Sequence, residues 1–267
     1  MEVVEKSVVG KSSDATRCED LLVITEHLVA VIDGSTDVSG VLVRSGSDKI
    51  TPGRFAALAV ADALEKSDPG QDPVTTVAHI SKALYEATKA AVNHADGCGL
   101  PAASIVVFNS ELRVVWRVGD CPFRIDSNLY NKQKRIDEVT SSFRAAFITA
   151  STEKHETRDL GREAILPLLR IQGLLANKTG EFGYGRIDGR AVPLEFVEVY
   201  DVPAGTREIV LASDGYPTLP STLAKAEEDL ADRLAKDPSC TGLLRGTKGL
   251  EPGQNSFDDR AWVRVVL

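Results

Sequence analysis

The chain has 267 residues, enough to bury a sizeable core in one domain, and its 43% hydrophobic and 26% charged residues are typical of a soluble globular protein. The formal net charge of −8 argues against nonspecific binding to nucleic acid or to an anionic membrane, because both need a basic surface. No apolar run approaches the length of a membrane span. We therefore expect neither a nucleic-acid nor a membrane partner.

The N-terminus and the cysteines predict a cytoplasmic location. Residues 1–6 lack the charged-then-apolar order of a secretory signal. The cysteines are widely separated and include no C-x-x-C pair, which is typical of reduced thiols rather than of disulfides or a zinc site. They are Cys18, Cys98, Cys121 and Cys240.

The N-terminal part of the chain predicts strands followed by two helices. Residues 2–9 alternate loosely and predict an edge strand. Residues 21–33 predict an antiparallel hairpin, because two apolar runs flank a short turn. After a polar loop to about residue 51, Pro52 opens a helix, and a second helix spans about 73–93.

The remaining elements alternate in the same way between strands with tight turns and helices. They are strands at 102–108, 111–118 and 122–126, two helical pieces within 137–176 interrupted near 152–157, strands at about 194–200 and 207–213, a helix at 221–236 and a last strand at 261–267. Short turns between strands, with helices in separate pairs, favour an antiparallel α+β sandwich over a parallel doubly wound sheet. With no internal repeat or linker, residues 1–267 are predicted to form a single domain.

Several predicted strands lead directly into an acidic residue. The apolar run 29–32 meets Asp33 and Gly34, and the run 209–212 ends before Ser213 and Asp214. The same pattern leads to Asp120, and the pair Asp258-Asp259 precedes the last strand. A single acid in such a position is more often a turn starter or a helix cap, but four of them favour a shared cation site.

The chemistry of such a cluster favours hard metal ions. Carboxylates a few ångströms apart repel one another by roughly 4 kcal/mol per pair at an effective dielectric constant near 20. Oxygen ligands without His or Cys select Mg²⁺ or Mn²⁺, and Ca²⁺ less readily. Two such ions sharing a water would activate it for in-line attack on phosphorus. The pattern therefore indicates hydrolysis of phosphate monoesters.

The acidic motifs and their order resemble those of the metal-dependent PPM/PP2C-type Ser/Thr protein phosphatases, in a divergent, bacterial-like form, over nearly the whole chain. The matching pieces are Glu19-Asp20, Asp33-Gly34, Ala102-Ala103-Ser104, Gly119-Asp120, Ser213-Asp214-Gly215 and Asp258-Asp259. The resemblance implies a four-layer αββα sandwich of two antiparallel sheets flanked by helix pairs. It also implies a binuclear Mg/Mn site between the sheets.

The resemblance further implies roles for individual residues. Asp33 would bridge two Mg²⁺ or Mn²⁺ ions, with the Gly34 carbonyl on one of them. Asp214 and Asp258 would hold the first ion, and Asp120 would fit a third position together with Asp214. From the acidic pair, Glu19 would contact the site through water, and Asp20 is kept as a further candidate metal ligand.

Three departures from the family pattern affect the substrate side of the site. The usual Gly-Gly-His after Asp-Gly is replaced by Ser35-Thr36-Asp37, and Asp259 stands where Asn is usual. Asp258 is preferred as ligand, with Asp259 as the alternative. The position of the usual phosphate-binding arginine is Ala15. Arg17 could replace it or be a solvated loop charge, and Arg54 and Lys11 are weaker candidates.

The predicted function is a Mg/Mn-dependent phosphatase acting on phospho-Ser/Thr in proteins, with Asp33, Asp214 and Arg17 as catalytic residues. A small phosphorylated metabolite is an alternative substrate, because the loop after Gly34 departs from the family pattern. The other alternative is a catalytically weak or inactive relative that binds a partner or senses a ligand. The retained acids favour the enzyme, whereas the missing arginine and Gly-Gly-His favour the binding protein. The oligomeric state is left open.

Overall fold

The structure of the protein, a computed structural model, describes residues 1–12, 14–91, 100–151 and 158–267. The strands are β1 (Glu2–Val9), β2 (Leu21–Ile24), β3 (Leu28–Gly34), β4 (Val43–Ser45), β5 (Asp48–Ile50), β6 (Ala103–Asn109), β7 (Val114–Val118), β8 (Phe123–Ile125), β9 (Asn128–Tyr130), β10 (Glu198–Asp201), β11 (Glu208–Ala212) and β12 (Arg260–Val266). The α-helices are α1 (Pro52–Glu65), α2 (Pro73–Ala91), α3 (Arg135–Ala150), α4 (Leu160–Ile171) and α5 (Leu223–Lys236).

Two five-stranded antiparallel sheets form the centre of the fold. The first sheet has the order β1-β12-β11-β8-β9, and the second has the order β10-β7-β6-β3-β2. A separate hairpin pairs β4 with β5. The predicted hairpin at 21–33 is the antiparallel pair β2–β3, and β1 lies at a sheet edge as expected.

The alternation of side chains along β3 explains how the sheets pack. Val29 and Val31 join the apolar cluster between the two sheets, together with Phe108 of β6 and Leu211 of β11. The intervening residues of β3 point to the opposite face and pack with the helices. Because successive side chains of a strand alternate between faces, a strand covered on both sides reads as a continuous apolar run.

Helices cover the outer face of each sheet. On the second sheet, α1 and α2 contribute Val60, Leu64 and Ile80 to the cluster that includes Trp116 of β7. On the first sheet, α5 contributes Ala226 to the cluster around Trp262 of β12. Helices α3 and α4 pack against each other, and α3 also bonds to the segment 239–246. The predicted fold class, an α+β sandwich of two antiparallel sheets with outer helices, is confirmed.

The predicted elements agree with the structure except for three short strands and the start of the strand predicted at 194–200, where Leu194–Phe196 form a 3-10 helix before β10. β4, β5 and β9 were not predicted, because each has only three residues and too little pattern to distinguish it from a loop. The predicted end of the second helix near residue 93 and the predicted interruption at 152–157 lie outside the described residues. Within the described part of the chain, no helix is both long and apolar enough to cross a membrane.

Candidate functional site

The topology brings the strand ends that lie next to the acids to one side of the sandwich. In the second sheet β3 and β7 end there, while their antiparallel neighbours β2 and β6 begin there. In the first sheet β1 and β11 end at this side, and β12 and β8 begin. Every predicted acid lies at one of these ends, so the sequence pattern of strand followed by acid becomes a cluster in space. Its members are Glu19, Asp20, Asp33, Asp120, Asp214, Asp258 and Asp259.

Direct contacts join the acids of the two sheets. The Glu19 N–H donates to Asp259 Oδ2 at 3.1 Å, although the two residues belong to different sheets. The Ser213 side chain, next to Asp214, is close enough to Asp20 to lower the pKa of that carboxyl, and its Oγ accepts the Ala261 N–H of β12 at 2.8 Å. The Gly34 N–H donates to the Glu19 carbonyl at 3.2 Å, which links β3 to the acidic pair. The cluster is therefore one site rather than several separate turns.

Gly34 is required by the close packing beside Asp33. A Cβ at this position would lie 2.5 Å from the Gly53 carbonyl oxygen and 2.7 Å from the Glu19 carbonyl oxygen. Both contacts are with backbone, which cannot move aside as a flexible side chain can. The absence of a side chain at Gly34 lets the start of α1 and the acidic pair approach β3.

Three of the acids lie close together and form no ion pair with any cationic residue that the structure describes. Burial and the charges of Asp214 and Asp20 raise the pKa of Asp33 well above its usual range. Burial likewise raises the pKa of Asp20, whose Oδ2 is buried without a hydrogen-bond partner among the described residues. Loss of solvation and the charges of Asp120 and Asp258 raise the pKa of Asp214 to about 7, against the charges of Lys134 and Lys248. Part of Asp214 is nevertheless exposed. These groups share uncompensated negative charge.

A lysine lies against Asp120, at the edge of the cluster. Lys134 Nζ is 2.7 Å from Asp120 Oδ2, and Ser104 donates to Oδ1 at 2.8 Å. Burial opposes ionisation, but Lys134 outweighs it and lowers the pKa of Asp120. This carboxylate is therefore charged and already partnered.

Two more lysines neutralise the acidic pair before β12. Lys248 Nζ lies 2.7 Å from Asp258 Oδ2, and Lys11 Nζ lies 3.2 Å from Asp258 Oδ1 and 3.0 Å from Asp259 Oδ2. Burial opposes ionisation of Asp258, but these lysines outweigh it and lower the pKa. Burial would also lower the pKa of Lys11, but Asp258, Asp259 and Glu19 raise it above its usual range.

Within the acidic cluster, the available ligand atoms fit a hard cation at Asp20, Asp33 and Asp214 but not at Asp258 and Asp259. Asp20, Asp33 and Asp214 offer carboxylate oxygens without His or Cys, and the orphaned Asp20 Oδ2 needs a partner. Asp258 and Asp259 already contact ammonium groups and backbone N–H groups. As the side chains stand, no three of the described His, Cys, Asp and Glu residues converge closely enough to hold a metal ion. A cation would therefore have to draw the free carboxylates inward.

A cleft opens over these acids and brings in an arginine that the sequence did not indicate. Two cavities of about 310 Å³ and about 190 Å³ share Asp214, Lys248 and Asp258 as lining residues. The smaller cavity is also lined by Asp33, and by Arg162 from the first turn of α4. Lys134 reaches it from the opposite side. The cleft therefore combines free carboxylates with cationic groups, as binding of a metal and of a phosphate would require.

Arg162 has unused donors and no anionic partner. Its Nη1 donates to the Thr247 carbonyl at 2.9 Å, and it forms no ion pair with any described residue. Burial lowers its pKa despite the charge of Asp159. A partly buried guanidinium without a counterion favours an anion that arrives from solution.

The other candidate arginines lie elsewhere. Arg17 is exposed and lines neither of the two cavities. Arg54 donates from Nη1 to the Cys18 carbonyl, so it holds the loop before β2. Lys11, the third candidate, is held by the acidic pair. Arg162 carried no sequence signal, because its position at the cleft depends on how α4 packs.

Comparisons with known proteins place the fold. No family model matches the sequence, and no curated protein matches it. Among solved structures, the PPM Ser-Thr phosphatase MsPP from Mycobacterium smegmatis aligns over 100% of this chain and 99% of that chain, with 14% identity and a TM-score of 0.50. The serine/threonine phosphatase Stp1 from Staphylococcus aureus aligns over 100% and 96%, with 11% identity and a TM-score of 0.51. A bacterial serine phosphatase aligns over 100% and 97%, with 13% identity and a TM-score of 0.51.

These likenesses define the class of fold. Full coverage of both chains means that the two sheets and the outer helices correspond as a whole and not in a fragment. The chain has the sandwich fold of the PPM/PP2C-type Ser/Thr phosphatases, which a divergent bacterial member would also have. The resemblance drawn from the acidic motifs is therefore confirmed at the level of the fold.

Proposed function

We propose that the chain is a metal-dependent phosphoric monoester hydrolase of the PPM/PP2C type, acting on phospho-Ser/Thr in proteins. The observation that carries this proposal is the juxtaposition of Asp33, Asp214 and Arg162 in one cleft, with the carboxylate of Asp20 buried and close enough to influence the pKa of Asp33. Among the described residues, none of these three carboxylates forms an ion pair with a Lys or Arg, and Arg162 forms none with an acid. The proposal includes a single domain over residues 1–267, a cytoplasmic location, and no nucleic-acid or membrane partner.

In this proposal the three free carboxylates hold the cation. A bound Mg²⁺ or Mn²⁺ would act as a Lewis acid, activating water and neutralising charge on the phosphate. Arg162 would receive the phosphate, because its Nε and Nη2 make no hydrogen bond to any described residue and form a planar fork. Lys134 would stay on Asp120 and keep that wall of the cleft neutral. The chain itself thus supplies binding, orientation and charge balance.

Hydrolysis by the wild-type protein should require a divalent cation. We expect turnover of p-nitrophenyl phosphate and of a phosphothreonine peptide with Mn²⁺ or Mg²⁺, and none with EDTA, because the free carboxylates otherwise leave the cleft negatively charged towards a phosphate. Colorimetric phosphate release measures both substrates. Activity that persists in EDTA would contradict the proposal, and turnover of only the small ester would favour a metabolite phosphatase.

The lysine pairs favour a second candidate, a catalytically weak or inactive binding or sensor protein. Lys11 and Lys248 neutralise Asp258, which the family resemblance gives as a metal ligand. An acidic cluster that carries its own counterions can persist without catalysis. A protein that binds Mn²⁺ but hydrolyses neither substrate would support this candidate over the enzyme.

Replacement of Arg162 should weaken substrate binding, whereas replacement of Arg17 should not. Arg162→Ala removes the free guanidinium of the cleft, and we expect kcat/KM to fall by about 10²-fold. Arg17→Ala is the matched control and should stay near wild type, since Arg17 is exposed outside the cavities. Steady-state kinetics and the inhibition constant of inorganic phosphate measure the effect. The opposite order of effects would restore Arg17 as the phosphate ligand.

A further inference from the structure

Lys11 occupies a position that a metal ion could otherwise fill. Its Nζ lies 3.0 Å from Asp259 Oδ2, 3.2 Å from Asp258 Oδ1 and 3.6 Å from Glu19 Oε2. Its backbone N–H donates to Asp259 Oδ1 at 2.8 Å, so the residue is held at both ends. Only 18% of its side chain is exposed. The Lys11 ammonium therefore supplies positive charge to three carboxylates, as a bound cation would.

Lys248 completes the neutralisation of Asp258. Its Nζ contacts Oδ2 at 2.7 Å, so each carboxylate oxygen of Asp258 has an ammonium neighbour. Oδ1 also accepts the Asp259 N–H at 2.9 Å. Two ammonium groups carry the same total charge as one divalent ion. A second divalent ion at this place would have to displace both lysines and leave their charges in the cleft.

The other half of the cluster has no such cation. Among the residues that the structure describes, no Lys, Arg or His forms an ion pair with Asp20, Asp33 or Asp214. The Asp20 Oδ2 atom is buried and unpartnered. The two groups of acids therefore differ: Asp258 and Asp259 have ammonium groups in direct contact, whereas Lys134 and Lys248 act on Asp214 only from a distance.

We propose that the Lys11 ammonium, assisted by Lys248, replaces one metal ion of the binuclear site implied by the family resemblance. The chain then binds one divalent cation, at Asp20, Asp33 and Asp214. This inference rests on the proposed function only for the presence of that one cation. It predicts a metal-to-protein ratio that can be measured without any assay of activity.

The test is a count of bound Mn²⁺ in the full chain. After equilibration with Mn²⁺ and removal of free ion, elemental analysis of the wild type should give one Mn²⁺ per chain. EPR should show an isolated ion rather than an exchange-coupled pair. In the double variant Lys11→Met, Lys248→Met, the freed carboxylates should take up a second ion, and the coupled spectrum should appear. Lys236→Met is the control, because Lys236 pairs with Asp232 on the solvent-exposed face of α5. This variant should keep one ion.

The outcomes separate this inference from the proposed function. Two ions in the wild type would overturn the inference and leave the phosphatase proposal standing. One ion in both the wild type and the double variant would also overturn it, since the lysines would not be what excludes the second ion. No ion in any variant would overturn both. If the double variant does not fold, as judged by circular dichroism, the wild-type count and spectrum decide.

Discussion

Asp33→Asn should abolish metal-dependent hydrolysis and at the same time stabilise the metal-free protein. Asp33 lies among Asp20, Asp120, Asp214 and Asp258, and their charges together with burial raise its pKa. Loss of a ligand that holds the catalytic cation should lower kcat/KM by at least about 10³-fold, equivalent to roughly 4 kcal/mol. Without metal, loss of the repelling charge should raise the Tm by roughly 2–4 °C, the shift that 1 kcal/mol gives in a domain of about this size.

The pH dependence of the stability of the metal-free protein is an independent measure of the burial and charge repulsion at Asp33 and Asp214. An aspartate has a pKa of about 3.9 in the unfolded chain, and the folded-state pKa of Asp33 and Asp214 is higher, about 7 for Asp214. The folded state therefore binds more protons in between, so stability falls as the pH rises from about 4 through these values. Asp33→Asn should make this fall shallower.

Thermal unfolding in EDTA, set beside activity with Mn²⁺, measures both effects. Asp62→Asn is the control, because Asp62 lies on the solvent-exposed face of α1 and pairs with Lys66. This variant should change neither the thermal stability nor the activity. An Asp33→Asn protein that is less stable than the wild type in EDTA would mean that this carboxylate has a stabilising partner. An active variant would remove Asp33 from the proposed site.

The acidic cluster could be predicted because its signal is local. The run 29–32 predicts a buried strand, and the acid that follows must lie at the end of that strand. The same holds for Asp120 and Asp214. The antiparallel order of the strands then brings these ends together, so correct prediction of the strands and their pairing was enough to gather the acids.

The partners of the acids could not be predicted, because they come from distant parts of the chain. Lys11 and Asp259 are 248 positions apart, and no local pattern links them. For the same reason the sequence left Asp258 and Asp259 as alternatives. In the structure, Asp259 accepts the N–H groups of Lys11 and Glu19, while Asp258 lines the cleft. Asp258 also pairs with Lys11 and Lys248, so the choice between Asp258 and Asp259 as a metal ligand stays a prediction.

Arg162 shows a second limit of sequence reasoning. It lies in the first turn of α4, a helix that packs on α3 and whose N-terminal cap is bonded to the buried side chain of Arg144. Asp159 caps this helix by accepting the Arg162 N–H at 2.7 Å, and it also accepts Arg144 Nε at 2.9 Å. The Arg144 guanidinium thus fixes the start of α4, and with it the arginine of the cleft.

Arg144 also holds the segment 239–246, part of which lines the larger cavity. Its Nη1 donates to the carbonyl oxygens of Cys240 and Gly246, each at 3.1 Å, and its Nη2 donates to the Ser239 carbonyl at 2.8 Å. The side chain is 1% exposed. One buried guanidinium therefore donates to three loop carbonyls and one carboxylate.

Arg144→Leu should consequently lower the free energy of unfolding by about 3–5 kcal/mol, because three loop carbonyls and the Asp159 carboxylate lose their donor at once. Urea unfolding followed by circular dichroism measures the loss. Arg135→Leu is the matched control on the same helix, because Arg135 is exposed and pairs only with acids at the surface, and it should change stability by less than about 0.5 kcal/mol. Arg144→Lys should fall between them, since an ammonium keeps the charge but cannot reach all four acceptors. Equal stability of the two leucine variants would show that the Arg144 contacts do not hold α4 and the 239–246 segment in place.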